Sequence, residues 1–237
     1  MAIVIGITGL AGSGKDSYAS ALKQAFRDVG VECVIAGFAD PLRRISADVG
    51  LDPYTRSSKE LPRMFEMGGL GGFKWELHRA IQRVLGDLPQ SDRDSLYVNT
   101  LRACASHVGR EGRIAISPRE FMQIIGTEGG QSVRKTLWVD YQRGAWAALP
   151  GFVIVPDFRF YHELAPLAEV LNINRPGIDR VNGHASEDLP DLLTRAVVPV
   201  IGGKPVTYVL NDRDISYIQE TAKLHAAMLI HNHKDSI

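Results

Sequence analysis

Residues 2–38 read AIVIGITGLAGSGKDSYASALKQAFRDVGVECVIAGF. Ala2–Thr8 is a short β-branched apolar run that ends in glycines, the pattern of a buried strand. From Asp16 to Asp28, Tyr18, Leu22, Ala25 and Phe26 recur at helical spacing, and Gly30 supplies a stop. Val31–Phe38 is a second apolar run. Strand, glycine loop, helix and strand in this order predict a parallel βαβ unit, right-handed almost without exception, and hence an α/β fold.

Outward from this unit the pattern changes. Residues from about 40 to 150 are mostly polar-helical, with a glycine-rich break at Met67–Phe73 that is either a plain linker or a lid hinge. Ser117-Pro118-Arg119-Glu120 reads as a helix start, with the helix running through Ile125. Phe152–Val155 is a third buried strand, ended by Pro156-Asp157, and His162–Leu171 reads as a helix. Val170–Asn174 and Val206–Leu210 are short fourth and fifth strands, Ile215–Ile230 is an amphipathic last helix, and the polar tail HNHKDSI is expected to fray. The expected organisation is one domain over residues 1–237, with a mainly helical acceptor-binding insertion at about 40–150.

Composition narrows the function classes. With 237 residues, 45% of them apolar, the chain can bury a large core without staples. Lys plus Arg and Asp plus Glu both total 27, so the balance argues against a nucleic-acid coat or a polybasic membrane surface but leaves room for a local basic pocket. Arg outnumbers Lys 19 to 8, and Arg is the better planar, bidentate phosphate ligand. Cys33 and Cys104 are too few for a disulfide scaffold and fit a reducing compartment. No apolar run reaches the ~18 residues of a membrane helix. The opening run lacks a basic flank and breaks at Gly6 and Gly9, unlike a signal peptide, so a cytoplasmic location is expected.

The strongest chemical signal is GLAGSGKDS, Gly9–Ser17, which fits G-x-x-x-x-G-K with Gly9, Gly14 and Lys15 in place. Glycines let the backbone aim successive N–H groups inward, and with the following helix N-terminus they form an anion nest. Lys15 can then reach the β- and γ-phosphates of a nucleotide. The string alone is weak, but its place directly after a buried strand and at the opening of a helix favours phosphate binding over a plain strand–helix turn. The next residue is ordinarily Ser or Thr and holds Mg²⁺; here it is Asp16, followed by Ser17. Asp16 either binds Mg²⁺ or orients an acceptor phosphate through the metal's water, or it is a helix-start carboxylate favoured by the dipole.

Three further stretches bear on the acceptor. GFADPLRR, Gly37–Arg44, lies beyond the second strand, where open parallel sheets bind ligands. Arg43 and Arg44 there either meet a phosphate or lie on a solvated helix face. In SPREFMQIIGTEGG, Ser117–Gly130, Arg119 and Gln123 share a helix face and suit a phosphate and a base edge. Gly126-Thr127 is expected to end that helix, and in the following RKTLW, Arg134–Trp138, the Trp138 ring either stacks on a base or belongs to the core. In VIVPDFRFYHE, Val153–Glu163, Asp157 can hold Mg²⁺ through water or hold an acceptor hydroxyl, and Arg159 can neutralise charge developing in phosphoryl transfer. The alternative for the two is a structural ion pair.

GLAGSGKDS, FADPLR, SPREFMQIIGTE and DFRFYHE, with the later NRPG (Asn174–Gly177) and HASE (His184–Glu187), together resemble the bacteriophage deoxynucleoside monophosphate kinases over roughly residues 3–190. The Gly-Lys-Asp-Ser variant is typical of that family. The resemblance implies a P-loop three-layer α/β sandwich with a five-stranded parallel sheet and a helical insertion or lid. It implies Mg²⁺-dependent transfer of the ATP γ-phosphate to a deoxynucleoside monophosphate, by a homodimer in the cytoplasm of an infected bacterium, with no nucleic-acid or membrane partner. The residue readings and the resemblance together assign Ala11, Gly12, Ser13, Gly14, Lys15, Asp16, Ser17 and Arg175 to ATP, with Asp16 and Ser17 as metal ligands. They assign Phe38, Ala39, Arg43, Arg119, Gln123, Thr127, Arg134, Trp138, Asp157 and Glu163 to the acceptor, and Lys15, Asp16 and Arg159 to catalysis. Residues 52–113 receive no role.

Rival readings of the same loop are another small-molecule kinase resembling dephospho-coenzyme A kinase, a nucleotide-driven switch or motor, and a binding module without chemistry. The choice of acceptor base depends on pocket geometry that these residues do not fix. His225, His231 and His233 have no standard metal-site spacing.

Overall fold

The computed structural model of the chain describes residues 2–55, 57–109, 111–180 and 185–234. His184 of the HASE motif and tail residues 235–237 lie outside them. In chain order the elements are β1 (Ile3–Thr8), α1 (Lys15–Asp28), β2 (Cys33–Ile35), α2 (Asp40–Asp48), β3 (Arg63–Glu66), α3 (Phe73–Val84), α4 (Gln90–Cys104), β4 (Arg113–Ile116) and α5 (Pro118–Gln123). A π-helix (Ile124–Gln131), α6 (Leu137–Trp146), β5 (Phe152–Val155), β6 (Glu169–Asn174), α7 (Asp188–Arg195), β7 (Val200–Ile201), β8 (Lys204–Leu210) and α8 (Ile215–Asn232) complete the order. The chain divides into two compact units, Met1–Phe38 with Gln142–Ile237, and Ala39–Tyr141.

The first unit is built on a sheet of order β2-β5-β1-β6-β8-β7. β1 pairs in parallel with β5 (Ile3↔Phe152) on one side and with β6 (Thr8↔Asn172) on the other. Alternation along β1 sends Ile3, Ile5 and Ile7 to one face, where they pack with Leu22 and Phe26 of α1 and Ile218 and Leu229 of α8. The Phe26 and Phe152 rings stack there at 4.3 Å. The other face carries Asn172, whose side-chain amide donates to the Leu193 carbonyl of α7. Helices therefore cover both faces, consistent with three layers. The chain leaves β1 toward β2 on one flank and later fills β6 and β8 on the other, so the sheet reverses direction at β1. Open α/β sheets bind ligands beyond the strand C-termini at such a point.

The sheet has six strands rather than five. The extra one, β7, pairs antiparallel with β8 through Gly202-Gly203, whose φ values of +53° and +78° suit a tight hairpin turn. The expected strand Val31–Phe38 shortens to Cys33–Ile35, because beyond it Gly37 and Phe38 are drawn into bonds with Gln142 and Asp157. The expected helix at His162–Leu171 does not form. A 3₁₀ turn at Tyr161–Glu163 is followed by Pro166, which cannot donate in a helix, and the Ala168 N–H already donates to Val4 at 2.7 Å as β6 begins.

The second unit packs Phe73, Leu77 and Ile81 of α3 against Leu96 and Cys104 of α4, with Phe121, Ile125 and Trp138. The antiparallel pair β3–β4 joins Arg63 to Ile116 and Glu66 to Arg113, a pairing too distant in sequence for local periodicity to signal. At α5 the Ser117 hydroxyl accepts the Glu120 N–H while the Glu120 carboxylate accepts the Ser117 N–H at 2.9 Å, a capping box. The helix does not stop at Gly126-Thr127 but widens into the π-helix. Its two final glycines allow this: a Cβ at Gly129 would meet Thr100 Oγ1 at 2.4 Å, and one at Gly130 would meet Trp138 Nε1 at 2.4 Å. Replacing the buried Ser117 by Ala should lower stability by about 1 kcal/mol, read from the urea midpoint at unchanged slope.

Candidate functional site

β1 ends at Thr8 and α1 opens at Lys15, so six residues must reverse from strand to helix. Gly9, Gly12 and Gly14 take φ values of +140°, +83° and +95° to do so. Gly14 is the N-cap of α1, and a Cβ there would lie 2.4 Å from Asn211 Nδ2, so both its conformation and its surroundings demand glycine. The Asn211 amide donates to the Ser13 carbonyl at 2.7 Å and holds the loop from the end of β8. Among the described residues no side chain caps α1. Its first amides are left for an external acceptor, the arrangement in which helix N-termini bind anions.

Lys15 folds back over the loop and donates to the carbonyls of Gly9 and Leu10, each at 2.7 Å. Burial first and Arg159 second lower its pKa to about 8, while Glu187, Asp16 and Asp157 act in the opposite direction. Lys15 is thus still charged at neutral pH, and two cations and three carboxylates share this edge of the sheet.

Arg159 follows β5. Its Nη1 donates to Glu187 Oε1 at 2.5 Å and to the Ser186 carbonyl at 3.3 Å, so its ion-pair partner is Glu187. Asp157 turns toward β2, where its Oδ1 accepts the Phe38 N–H at 2.8 Å. A Cβ at Gly37 would lie 2.3 Å from Asp157 Oδ2, so glycine makes this approach possible. The Gln142 side chain donates to the Gly37 carbonyl from the other side. Phe38 is buried against Trp146, with ring centroids 5.2 Å apart.

Glu163, expected to face the acceptor, instead closes its own turn. Its Oε2 accepts the backbone N–H of Arg159 at 2.7 Å and of Phe160 at 3.0 Å, and the residue is buried. Asp16 and Ser17 are exposed on the first turn of α1 and offer the hard oxygen donors that Mg²⁺ takes alongside phosphate oxygens. Arg175 is exposed just beyond β6. Ile178 would touch a Cβ on Gly12 at 3.7 Å and so lies beside the glycine loop. Sequence reasoning missed Asn211, Ile178 and, as a site residue, Glu187. Asn211 directly succeeds a parallel strand at its C-terminal end, and that position was the available signal.

The remaining residues expected at the acceptor belong to the second unit. Ala39 is the N-cap of α2, and Arg43 pairs with Asp40 at 2.6 Å. Arg119 is exposed on α5 and pairs with Glu60 at 2.9 Å. Gln123 ends α5 and Thr127 lies in the π-helix, both half-buried. Arg134 is held by Asp92 at 2.9 Å and Asp140 at 3.0 Å. Trp138 is a core residue rather than an open stacking platform: it is buried, its indole N–H donates to the Gly126 carbonyl at 2.9 Å, and Gly130 lies against its ring.

Among the described residues no group of three or more His, Cys, Asp or Glu side chains is placed to hold a metal ion by itself. His225 bonds to the Tyr18 hydroxyl, and His233 approaches Glu169 at 3.1 Å. No helix among the described residues is long and apolar enough to cross a membrane. No protein-family model matches the chain, and no curated protein sequence matches it.

Burial is the main cause that raises the Glu163 pKa from 4.5 to about 8. The folded state therefore binds a proton that the unfolded chain has released between these values. The stability this contributes is full below about 4.5 and is lost as pH rises through about 8. Urea unfolding from pH 5 to 9 should show the wild type losing stability relative to Glu163→Gln, by up to about 1.4 kcal/mol per pH unit.

Proposed function

We propose that the chain is an ATP- and Mg²⁺-dependent kinase that phosphorylates deoxynucleoside monophosphates to diphosphates, supplying phage DNA synthesis. The observation that carries this reading is the glycine loop at the C-terminal end of the central strand, where the sheet reverses, with Lys15 folded over it and Arg159 close enough to depress the Lys15 pKa. A nest of backbone amides flanked by Lys and Arg suits a polyphosphate. The acceptor class comes from the resemblance of the glycine-loop, FADPLR, SPREFMQIIGTE and DFRFYHE segments to the phage kinases, as do the homodimer and the bacterial cytoplasm.

In this reading the loop amides and Lys15 orient the β- and γ-phosphates of ATP. Asp16 and Ser17 would hold Mg²⁺, whose charge would offset that of the phosphate oxygens. Asn211 and Ile178 keep the loop in shape, and Arg175 stands on the ATP side. Arg159 faces charge that spreads over the transferring group. Asp157 fixes the Gly37-Phe38 turn that leads toward Ala39 and α2. Phosphoryl transfer asks little covalent chemistry of a protein, so positioning and electrostatics carry the rate.

The test is ADP release from Mg–ATP against a panel of ribo- and deoxynucleoside monophosphates, with dephospho-coenzyme A and an acceptor-free control. Release that depends on particular deoxynucleotides is expected. Release with dephospho-coenzyme A alone would move the assignment to that class, and release without any acceptor would move it to an ATPase. Lys15→Ala should reduce transfer by roughly 10²-fold or more while leaving thermal unfolding unchanged; near-normal turnover would remove the loop from catalysis.

A further inference from the structure

We propose that Glu187 is a positioning residue for Arg159, fixing its guanidinium at the phosphate site; the proposal rests on the kinase reading above. Arg159 is tethered at both ends. Its backbone N–H donates to Glu163 at 2.7 Å, and its guanidinium reaches Glu187 at 2.5 Å and the Ser186 carbonyl at 3.3 Å. Both side-chain bonds leave from Nη1. Among the described residues Nε and Nη2 make no bond, so the open side of the guanidinium keeps its donors for a phosphate, the geometry in which Arg binds oxyanions best.

Glu187 is suited to hold rather than to react. It closes the 3₁₀ turn Ala185–Glu187, which runs directly into α7, and α7 is anchored by buried Leu189 and Leu193. Glu187 is only 6% exposed, whereas the Arg159 side chain is 26% exposed, so the acid is the fixed member of the pair. Its second oxygen, Oε2, is buried and has no hydrogen-bond partner among the described residues. Buried polar atoms are ordinarily hydrogen-bonded, so this oxygen is an exception that asks for an explanation. Here one oxygen holds Arg159 and the other is left at an edge shared with Lys15, Asp16 and Asp157. The negative charge also lets two cations stand side by side before any phosphate arrives.

A double-mutant cycle tests this in the full chain: wild type, Glu187→Gln, Arg159→Ala and both together, with Mg–ATP affinity measured by calorimetry and folding followed by thermal unfolding. Gln keeps the shape and one acceptor but removes the charge. Glu187→Gln is expected to weaken Mg–ATP binding by about fivefold or more, and to add less than about twofold once Arg159 is Ala. Glu187→Asp, which keeps the charge, should recover part of the loss. An unchanged affinity in Glu187→Gln, or an equal loss in both backgrounds, overturns the proposal. If the wild type binds Mg–ATP yet phosphorylates no acceptor, the kinase reading fails and the cycle still decides the role of Glu187. A wild type that binds no Mg–ATP overturns both.

Discussion

Turning a buried strand into a helix within six residues is the constraint on which this structure depends. The turn needs three residues at positive φ, and it has glycine at each. Lys15, from the first turn of α1, donates to two of its carbonyls. Because β1 is flanked on both sides, the turn opens at the point where the sheet order reverses rather than at an edge. The apolar residues of α1 then hold the helix start in register with the strand end, since Leu22 and Phe26 pack on the same core as Ile5 and Ile7.

Around that turn each acidic side chain has a separate task. Glu163 is buried and caps the turn that presents Arg159. Asp157 holds the Gly37-Phe38 backbone. Glu187 holds the guanidinium itself. Among the described residues Lys15 has carbonyl partners only, and neutral acceptors are easier for an anion to displace than a bound carboxylate. The effect is a cationic pair whose members keep open donors while their surroundings stay balanced.

Local rules read the glycine turn after β1, the β1–α1–β2 unit, the Ser117 cap and the last helix from sequence, because each depends mainly on residues close to one another in the chain. They failed where distant residues decide. The strand pair β3–β4 joins segments separated by two helices. The residues His162–Leu171 have helical periodicity, yet Pro166 and pairing with β1 turn their end into a strand. Gly126-Thr127 looked like a helix terminus, but the close packing of Gly129 and Gly130 on α4 and Trp138 lets the helix continue with wider turns. Glu187 was invisible as a site residue because its partner lies 28 positions away. Asn211 was within reach of local rules, since the residue just past the C-terminal end of a parallel strand stands at the ligand edge of the sheet.

The same distinction sorts the arginines of the second unit. Arg134 is gripped by two acids, one of them from α4, so an anion would have to displace a network. Among the described residues the Arg119 side chain has a single partner, Glu60, and both side chains are more than two-fifths exposed. An exposed pair of this kind contributes about 0–1 kcal/mol, so an arriving phosphate can exchange with the carboxylate at little cost. Arg119 also sits one turn from half-buried Gln123 on α5, where the helix passes into the π-helix, and such departures from α geometry often mark functional sites. Of Arg119 and Arg134, Arg119 is therefore the one that an arriving anion displaces more readily from its carboxylate, and Trp138, packed against Gly130, supports the widened turn.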